Sequence, residues 1–518
     1  MSSRRRARSV VVGLAVVGLT LASWLPAPLP GLTHPAHAPP TVAKEVRVDL
    51  RSPQQGLASA EAGPRPSPGP GRSGEPKLGT ACAPINFTAM ALTWDQRGKG
   101  EVHALIRVGP DRTRLGTATE VESIPGEGPD VTSPEYTGSR QATGLLWTGK
   151  GRCSRFTLYP PKGVGLSNVR AVFLNTSGTA SPSPATSAKS KQESSRQAPT
   201  SPATSSPVAG LLRPKAAMAM TSRPTIIRRR QWGANERLRN CNPSYASRLK
   251  VAFVHHTVNS NSYSASQSDD IVRGIYHYHT QTRGYCDIAY NFLVDRYGKI
   301  FEGRAGGITR PVVPAATMGF NSGSTAVSAI GNFESASPTS AMVSSIQRLL
   351  AWRLDVAHIN PTGSVYLRST GSTGGKYPSG RRVKFRRISS HRDAGYTACP
   401  GRYLYAKVPS IRTATYSIGL PKIFSPRQSR SSFVPVREWV KWAAKGSSTL
   451  KWTLRVVNSR SEVVRSWTAT ASSFSRAWSG TAKDGKPVPA GTYKVKLRAT
   501  KNGVAARSAN FRLTIRSG

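Results

Sequence analysis

The stretch KVAFVHHTV, residues 250–258, decides the fold of the central part of the chain. Its apolar run, 251–254, is bounded by polar residues, which is typical of a short strand buried on both faces of a sheet. The run ends in His255 and His256. Successive side chains of a strand point to opposite faces. We therefore expect only one of the two histidines to face any given site and the other to be structural.

The segments that follow this strand predict a helix and a hairpin. SQSDDIVRGIYHYHTQT (266–282) places Ile271, Ile275 and Tyr278 on one stripe of a helix. IAYNFLVDRYGKIFEGR (288–304) indicates two strands joined by a turn at residues 295–298.

A second helix is predicted for SPTSAMVSSIQRLLAWRLDVAHI, residues 337–359. Ser337 is the expected N-cap and Pro338 suits the first turn. The expected apolar face consists of Ile346, Leu349, Leu350 and Leu354. Strands mixed with two long helices predict an α/β domain, a mixed sheet with flanking helices, over residues 223–424.

The flanking regions differ in composition, so the chain is predicted to be multidomain. Residues 39–77 are rich in Pro, Gly and Ser and are expected to form a disordered linker, and residues 176–222 a Ser/Thr/Pro/Ala linker. Residues 78–175 alternate apolar and polar side chains, which predicts a small β-domain. Residues 425–518 alternate likewise and predict an immunoglobulin-like β-sandwich, with 19 basic against 3 acidic residues.

The N-terminus has the pattern of an export signal. Three arginines, a run of mostly apolar residues (10–25) and the small residues AHA (36–38) predict a signal peptide over residues 1–38 and a secreted, cell-wall-associated protein. Pro39 disfavours cleavage directly after AHA, and an uncleaved anchor stays open as an alternative. The apolar run is short for a membrane span. We therefore expect no stable span after signal removal.

The formal net charge is +48, from 73 Lys+Arg and 25 Asp+Glu. Such a chain is attracted to polyanions, or the charge keeps an exported protein soluble. The export signal and the absence of a nucleic-acid-binding motif argue against nucleic acid. We expect the basic flanking domains to contact anionic cell-wall polymers. No feature of the sequence predicts an oligomeric state.

Five cysteines leave one unpaired if the other four form disulfides. Cys82 and Cys153 flank the first β-domain, which they are expected to crosslink, and Cys241 and Cys286 flank part of the central domain. The remaining Cys399 lies in SSHRDAGYTACPG, residues 389–401, eight positions after a histidine.

Thiolate and neutral imidazole are ligands that Zn²⁺ prefers. His255, His391 and Cys399 form a candidate triplet, and three protein ligands are typical of a catalytic zinc site with one open position. The alternative is that His255 is a hydrogen-bonded core residue at a strand end. The chain has no CxxC pair, which argues against a structural zinc ribbon.

Four blocks occur in order: FVHHT, GYCDIAYNFLVD, IFEGR and HRDAGYTACPG. This series resembles the peptidoglycan recognition protein family, which is similar to the type 2 N-acetylmuramoyl-L-alanine amidases, over roughly residues 223–412. The resemblance implies a Zn²⁺ ion held by His255, His391 and Cys399. It also implies that Tyr290 is catalytic. Thr397 occupies a position that is Lys in phage-type enzymes and commonly Thr in recognition proteins, which places the chain nearer the recognition-protein branch, and we expect Thr397 to hold the substrate carbonyl.

The same resemblance implies a Cys241–Cys286 disulfide and a peptidoglycan partner. The implied substrate contacts are His279, Gly284, Tyr285, Asn291 and Arg304. Gly284 and Tyr285 occupy the pair that sorts stem peptides; Gly followed by Trp goes with diaminopimelate, and Tyr285 departs from that pattern. The tail WSGTAKDGKPVPAGTY (478–493) resembles the immunoglobulin-like domain of flagellar hook-capping proteins.

The expected function is a secreted zinc amidase that cuts the bond between N-acetylmuramic acid and L-alanine. Members of the family that only bind peptidoglycan typically lack the cysteine, so Cys399 favours catalysis. The alternative is a recognition protein that binds wall fragments without cutting them. A polyanion-binding protein without chemistry is a third hypothesis, and steep salt dependence would identify it.

Overall fold

The computed structural model describes residues 41–51, 74–136, 138, 140–178, 221–372 and 376–517. The predicted signal peptide lies outside the described residues, as does most of the predicted linker at 176–222. No helix among the described residues is long and apolar enough to cross a membrane.

The first domain is an antiparallel β-domain. Its strands are β1 (Val42–Arg47), β2 (Lys77–Arg97), β3 (His103–Gly109), β4 (Thr119–Glu122), β5 (Gln141–Ala142), β6 (Leu146–Tyr159) and β7 (Gly165–Asn175). They pair in the order β1-β7-β2-β6-β3-β4, and β5 adds to β2. Cys82 and Cys153 are register partners on β2 and β6 and form the predicted disulfide.

Part of the linker prediction for residues 39–77 is wrong. Strand β1 lies within it and pairs antiparallel with β7, from Val42 opposite Asn175 to Arg47 opposite Arg170. The physical reason is that Val42, Val46 and Val48 pack against the core of the β-domain. The polar and Pro-rich composition of the surrounding residues hides this short apolar pattern.

The central domain has a five-stranded mixed sheet and a separate hairpin. Its strands are β8 (Val251–His256), β9 (Phe292–Val294), β10 (Ile300–Glu302), β11 (Ser324–Ala329), β12 (Ser364–Arg368), β13 (Arg382–Arg386) and β14 (Ile388–Ser390). Its α-helices are α1 (Arg229–Trp232), α2 (Ser268–His277), α3 (Ser340–Val356), α4 (His391–Ala394) and α5 (Arg402–Ser417). The sheet order is β10-β9-β11-β8-β14; β8 is parallel to both of its neighbours, and only β10 is antiparallel.

Helices cover both faces of this sheet, which explains why its strands are buried throughout. Ile271 and Ile275 of α2 lie in the core of one face, together with Leu145 and Trp147 of the first domain. Helices α3 and α5 share the core of the other face. The α/β prediction is confirmed, and the first domain and the central domain share one apolar core.

Most of the predicted elements are present. The first predicted helix is α2, continued by a π turn at Tyr278–Thr282. The hairpin of β9 and β10 turns at the predicted position, where Gly298 N donates to Asp295 O. The Cys241–Cys286 disulfide is also present.

The predicted cap of the second long helix is wrong. Thr339, not Ser337, precedes α3 in an extended conformation, and its hydroxyl accepts a hydrogen bond from Met342 N at 3.2 Å. The same hydroxyl donates to Arg296 O at 2.6 Å. Ser337 is exposed and lies too far upstream to reach the first turn.

The C-terminal domain is built on one long strand. Its strands are β15 (Ile423–Gln428), β16 (Ser432–Phe433), β17 (Val440–Val457), β18 (Val463–Trp478), β19 (Gly491–Lys501), β20 (Val504–Ala505) and β21 (Ala509–Ile515). One edge of β17 pairs with β18, and the other pairs with β15 near its start and with β19 near its end. Trp478 is buried in the common core. The domain begins with β15, two residues before the predicted boundary.

Removing the observed cap of α3 tests this correction. Thr339→Ala should lower the free energy of unfolding by about 0.5–2 kcal/mol, because the Met342 amide loses its acceptor. Ser337→Ala is the matched control and should change it by less than about 0.5 kcal/mol. Urea denaturation of both full-length variants measures the difference. Equal effects would contradict the assignment.

Candidate metal centre

Strand register brings two of the predicted ligands together. Strands β8 and β14 are parallel, with Ser390 opposite Val254. The residue that follows each of these two is a histidine: His255 on β8 and His391 at the start of α4. Their ring centroids lie 4.9 Å apart. The carboxyl ends of adjacent parallel strands thus supply both imidazoles from one edge of the sheet.

The Cys399 loop completes the set. The metal-ligating atoms of His255, His391 and Cys399 all lie within 4.8 Å of one another, and all three side chains are buried. Cys399 Sγ is 3.8 Å from His255 Nδ1. Tetrahedral zinc with ordinary bond lengths holds a nitrogen and a sulfur ligand about 3.6 Å apart. This spacing fits a zinc ion.

The second nitrogen of each ring has its own partner. His391 Nε2 donates to Gly126 O at 3.2 Å, because a carbonyl oxygen can only accept. His255 Nε2 lies 3.1 Å from the Thr317 hydroxyl. Nδ1 of His391 is buried and has no hydrogen-bond partner in the described part of the chain. Partners on Nε2 leave both Nδ1 atoms available to bind a metal, and metal-binding histidines are commonly held by such a partner on the other nitrogen.

Burial controls the protonation of these groups. It lowers the pKa of His391 to about 4 and that of His255 well below its ordinary value, so both rings are neutral near pH 7. Burial also raises the pKa of the Cys399 thiol well above its usual value. A bound cation reverses that effect on a thiol, because a coordinating sulfur is deprotonated.

The neighbouring His256 faces away from this site, as the strand alternation predicts. Its Nδ1 accepts a hydrogen bond from Phe333 N at 3.2 Å, on the side of the sheet covered by α3 and α5. Burial lowers its pKa to about 3. His256 is therefore a core residue.

Tyr290 lies beside the ligands, just before strand β9. Its ring centroid is 5.6 Å from that of His255 and 5.6 Å from that of His279. The hydroxyl donates to the Glu127 carboxylate. Nδ1 of His279 accepts from Ala289 N at 3.1 Å, so its Nε2 points toward the same space. The structure thus brings Tyr290 and His279 to one side of the metal ligands.

The Cys399 loop and α4 are held by short-range hydrogen bonds. Thr397 Oγ1 accepts from Cys399 N at 3.2 Å, which fixes the turn before the cysteine. Asp393 accepts from Ser390 N at 2.8 Å and from the Tyr405 hydroxyl at 3.0 Å. Asp393 therefore caps the short helix that carries His391.

Four of the five predicted substrate contacts lie on or next to one surface of the central domain, called the groove below, and one does not. The groove is lined by His279, Tyr285, Tyr290 and Arg304 and is covered by Glu127 and Glu135 of the first domain. Gly284 is exposed, whereas Tyr285 and Arg304 are buried under residues of the first domain. Asn291 lies apart from this surface. Its amide donates to Val312 O at 3.1 Å and accepts from Ala326 N at 2.8 Å, so the side chain joins strands inside the domain.

Sequence reasoning missed the residues that the first domain contributes. Gly126 O contacts His391, and the Glu127 carboxylate contacts Tyr290. Neither lies in a motif. Thr317, whose hydroxyl lies 3.1 Å from His255 Nε2, was also missed, because no local pattern links it to that histidine.

Comparison with known proteins places the domains in families. The N-acetylmuramoyl-L-alanine amidase family (Amidase_2) matches residues 244–402, and the FlgD Ig-like domain family matches residues 442–503. Peptidoglycan-recognition protein SC2 of Drosophila simulans is 28% identical over 184 residues, 36% of this chain and 84% of the relative. Peptidoglycan-recognition protein SA of Drosophila melanogaster is 32% identical over 129 residues, 25% of this chain and 60% of the relative.

A solved structure of peptidoglycan recognition protein LE in complex with tracheal cytotoxin is 28% identical, covers 36% of this chain and 92% of that one, and has a TM-score of 0.29. By the family match at residues 244–402, the central part of the chain contains an Amidase_2 domain, and its relatives include peptidoglycan-recognition proteins. The C-terminal part contains a FlgD Ig-like domain.

The two adjacent histidines allow a matched test of the metal ligands. His255→Ala should reduce zinc content after dialysis from near stoichiometric to near zero, because Nδ1 faces Cys399. His256→Ala should retain zinc, since its ring faces the opposite core. Elemental analysis measures the metal, and circular dichroism checks that both variants fold. Zinc loss in both, or in neither, would contradict the assignment.

Proposed function

We propose that this protein is a secreted, zinc-dependent N-acetylmuramoyl-L-alanine amidase that hydrolyses the lactyl–L-alanine amide bond of peptidoglycan. The observation that carries the proposal is the buried triplet of His255, His391 and Cys399 with Tyr290 beside it. Three protein ligands leave one position open, which is the arrangement of catalytic rather than structural zinc.

Zinc bound by these residues would supply a Lewis acid and lower the pKa of a water molecule to about 7. The protein residues then position the substrate and the proton. The Tyr290 hydroxyl can donate to the oxyanion that develops on the amide carbonyl. It is also the candidate for passing a proton to the departing alanine nitrogen. Thr397 shapes the Cys399 turn and lies two residues from the ligand, where it can hold the carbonyl.

The groove beside the ligands supports peptidoglycan as the substrate. Arg304 and Tyr285 lie along it, where they contact Glu135 and Glu127, and Gly284 precedes Tyr285 in the chain. An arginine there suits a stem peptide with free carboxylates, and we propose a diaminopimelate-type stem. The alternative function, recognition without cleavage, is disfavoured by Cys399, since the cysteine completes the metal set.

Export is consistent with the two disulfides. Disulfides persist mainly in oxidising compartments outside the cytoplasm. Cys82–Cys153 crosslinks β2 to β6, and Cys241–Cys286 ties the segment before β8 to the groove. Both fit a protein that works at the cell wall.

One face of the C-terminal domain suits an anionic wall polymer. Neighbouring strands β17, β19 and β21 expose Lys451, Arg455, Lys494, Lys496, Arg498 and Arg512 on the same side. Arg455 lies opposite Lys496, and Lys494 opposite Arg512, although like charges placed opposite each other are destabilising. The acidic residues of this domain, Glu438, Glu462 and Asp484, lie outside the strands. We propose that this cationic face binds phosphate-bearing wall polymers.

The amidase proposal is tested by the bond that is cut. Zinc-loaded full-length protein incubated with diaminopimelate-type peptidoglycan should release new alanine amino termini without new reducing sugar ends. A chelator should abolish the release, and re-added zinc should restore it. Tyr290→Phe should lower kcat by about 10²–10³-fold while zinc content is retained. Binding of peptidoglycan without release of amino termini, in zinc-loaded protein, would establish a recognition protein instead.

The cationic face is tested by charge reversal. The triple variant Lys494→Glu, Lys496→Glu, Arg498→Glu should bind cell walls at least about tenfold more weakly at low salt, because exposed charges act over about a Debye length. The triple variant and the unmodified protein should bind equally to walls stripped of phosphate polymers. The matched control reverses Arg460, Lys483 and Lys486, which lie in turns. Equal losses in both variants would show that net charge, not this face, determines binding.

A further inference from the structure

We propose that residues 124–135 of the first domain fill the substrate groove of the central domain and keep the amidase inhibited until they are displaced. The inference rests on the proposed function, because it concerns access to the same site. The segment has the sequence IPGEGPDVTSPE and connects β4 to β5. We call it the groove segment.

The groove segment reaches the candidate metal centre itself. Gly126 O accepts hydrogen bonds from His391 Nε2 at 3.2 Å and from Met318 N at 2.9 Å. The next side chain, Glu127, is buried and accepts from the Tyr290 hydroxyl. The proposed catalytic hydroxyl is therefore already paired, and the segment lies where a scissile bond has to reach.

Further contacts run along the groove. The Tyr285 hydroxyl donates to Glu127 O at 2.9 Å, and Asn321 Nδ2 donates to Gly128 O at 2.9 Å. Asp130 Oδ1 accepts from Gly319 N and from Asn321 Nδ2, both at 2.7 Å. The segment thus presents both main-chain and side-chain acceptors to residues of the central domain.

The far end of the segment carries a second buried charge contact. The Glu135 carboxylate pairs with Arg304 and accepts from Cys286 N at 3.1 Å. At the near end, the Glu127 carboxylate lies 3.8 Å from the Arg283 guanidinium and 4.0 Å from His279 Nε2. Arg304, His279 and Tyr285 are three of the residues expected to contact substrate. A stem peptide and the groove segment therefore compete for the same groups.

Little space remains while the segment is in place. A cavity bordered by Glu127, Tyr290, His279 and Tyr278 has room for about one water molecule. A muramyl peptide is far larger. Glu127 therefore cannot assist catalysis from this position, because the substrate that it would act on has no room beside it.

Glycines make this close approach possible. Gly126 has φ of 76°, and a Cβ there would lie 3.6 Å from His391 Nε2. Gly128 has φ of 146°, and a Cβ there would lie 3.1 Å from the Met318 side chain. Both backbone conformations are costly for residues with a side chain. The Gly-Glu-Gly sequence therefore suits a segment that presents one carboxylate in a narrow groove.

The domain interface keeps the segment in place. Leu145 and Trp147 of the first domain share a buried core with Ile271 and Ile275 of α2. The Tyr278 hydroxyl donates to Thr143 O at 2.8 Å. The groove segment is tethered at both ends to this packed domain, so its effective concentration at the groove is high.

The test compares two double variants of the zinc-loaded full-length protein. Asp130→Ala with Glu135→Ala removes two anchors of the groove segment. Asp95→Ala with Asp111→Ala removes the same charges from exposed sites on the same domain, where the carboxylates bond to Arg140, Asn168, Thr113 and Arg114. The probe is a soluble disaccharide-tetrapeptide containing diaminopimelate. Its cleavage is measured as released alanine amino termini, and its binding is measured by calorimetry on chelator-treated protein.

The groove variant should bind the probe at least about tenfold more tightly than the unmodified protein and cleave it with at least about tenfold higher kcat/KM, because less free energy is lost in displacing the segment. The exposed-site control should match the unmodified protein in both. Equal or weaker binding by the groove variant would overturn the inference.

The binding measurement separates the two proposals. Tighter binding with no cleavage by any variant would keep the groove inference and overturn the amidase. Cleavage at equal rates by all variants, with equal binding of the probe, would keep the amidase and overturn the groove inference. A second variant, in which residues 127–130 are replaced by Gly-Ser-Gly-Ser, should show the same gains. It decides the case if the double alanine variant does not fold, as judged by circular dichroism.

Discussion

The candidate site depends on the parallel register of β8 and β14. Ser390 lies opposite Val254, so the following residues, His391 and His255, emerge side by side. A shift of one residue in either strand would turn one imidazole to the other face of the sheet. That other face is buried in the core: the ring of His256 lies there, under α3, and pairs with Phe333 N. The register in turn depends on helices that cover both faces of the sheet, since strands buried on both sides are specified by packing rather than by an amphipathic pattern.

Local sequence patterns were sufficient for β8 and for several elements around it, but not for β14. The apolar run before His255, the turn at Asp295–Gly298 and the apolar face of α3 each follow from periodicity or turn chemistry. A spacing of eight positions between a histidine and a cysteine defines no geometry. The prediction that His255, His391 and Cys399 lie together therefore depended on the order of several motifs along the chain. The wrong N-cap prediction for α3 has a different cause. Ser337 and Thr339 both suit an N-cap, and only the backbone, extended at Thr339, distinguishes them.

The interdomain contacts could not have been found in the sequence. Gly126 reaches His391 through a main-chain carbonyl across 265 positions, and a carbonyl is present in every residue. Glu127, Asp130 and Glu135 occur among prolines and glycines, which predicts only a turn-rich loop. They meet their partners only because α2 and the first domain share an apolar core. Apolar residues on strands thus specify how the first domain packs against α2. The contacts with the candidate site come instead from a loop that has no periodic pattern.

The groove segment has two opposed effects on the same site. By accepting from His391 Nε2, Gly126 O holds the imidazole so that Nδ1 can bind a metal, and by pairing Glu127 with Tyr290 the segment excludes substrate. A ligand that binds only the open groove shifts the equilibrium in proportion to its concentration. The polymeric wall offers many stem peptides at once, and a cationic face that holds the protein on the wall raises their local concentration further. Under these proposals, the anchored protein opens on the wall and stays closed in free solution. The basic C-terminal domain then favours the open groove, and the acidic groove segment favours the closed groove.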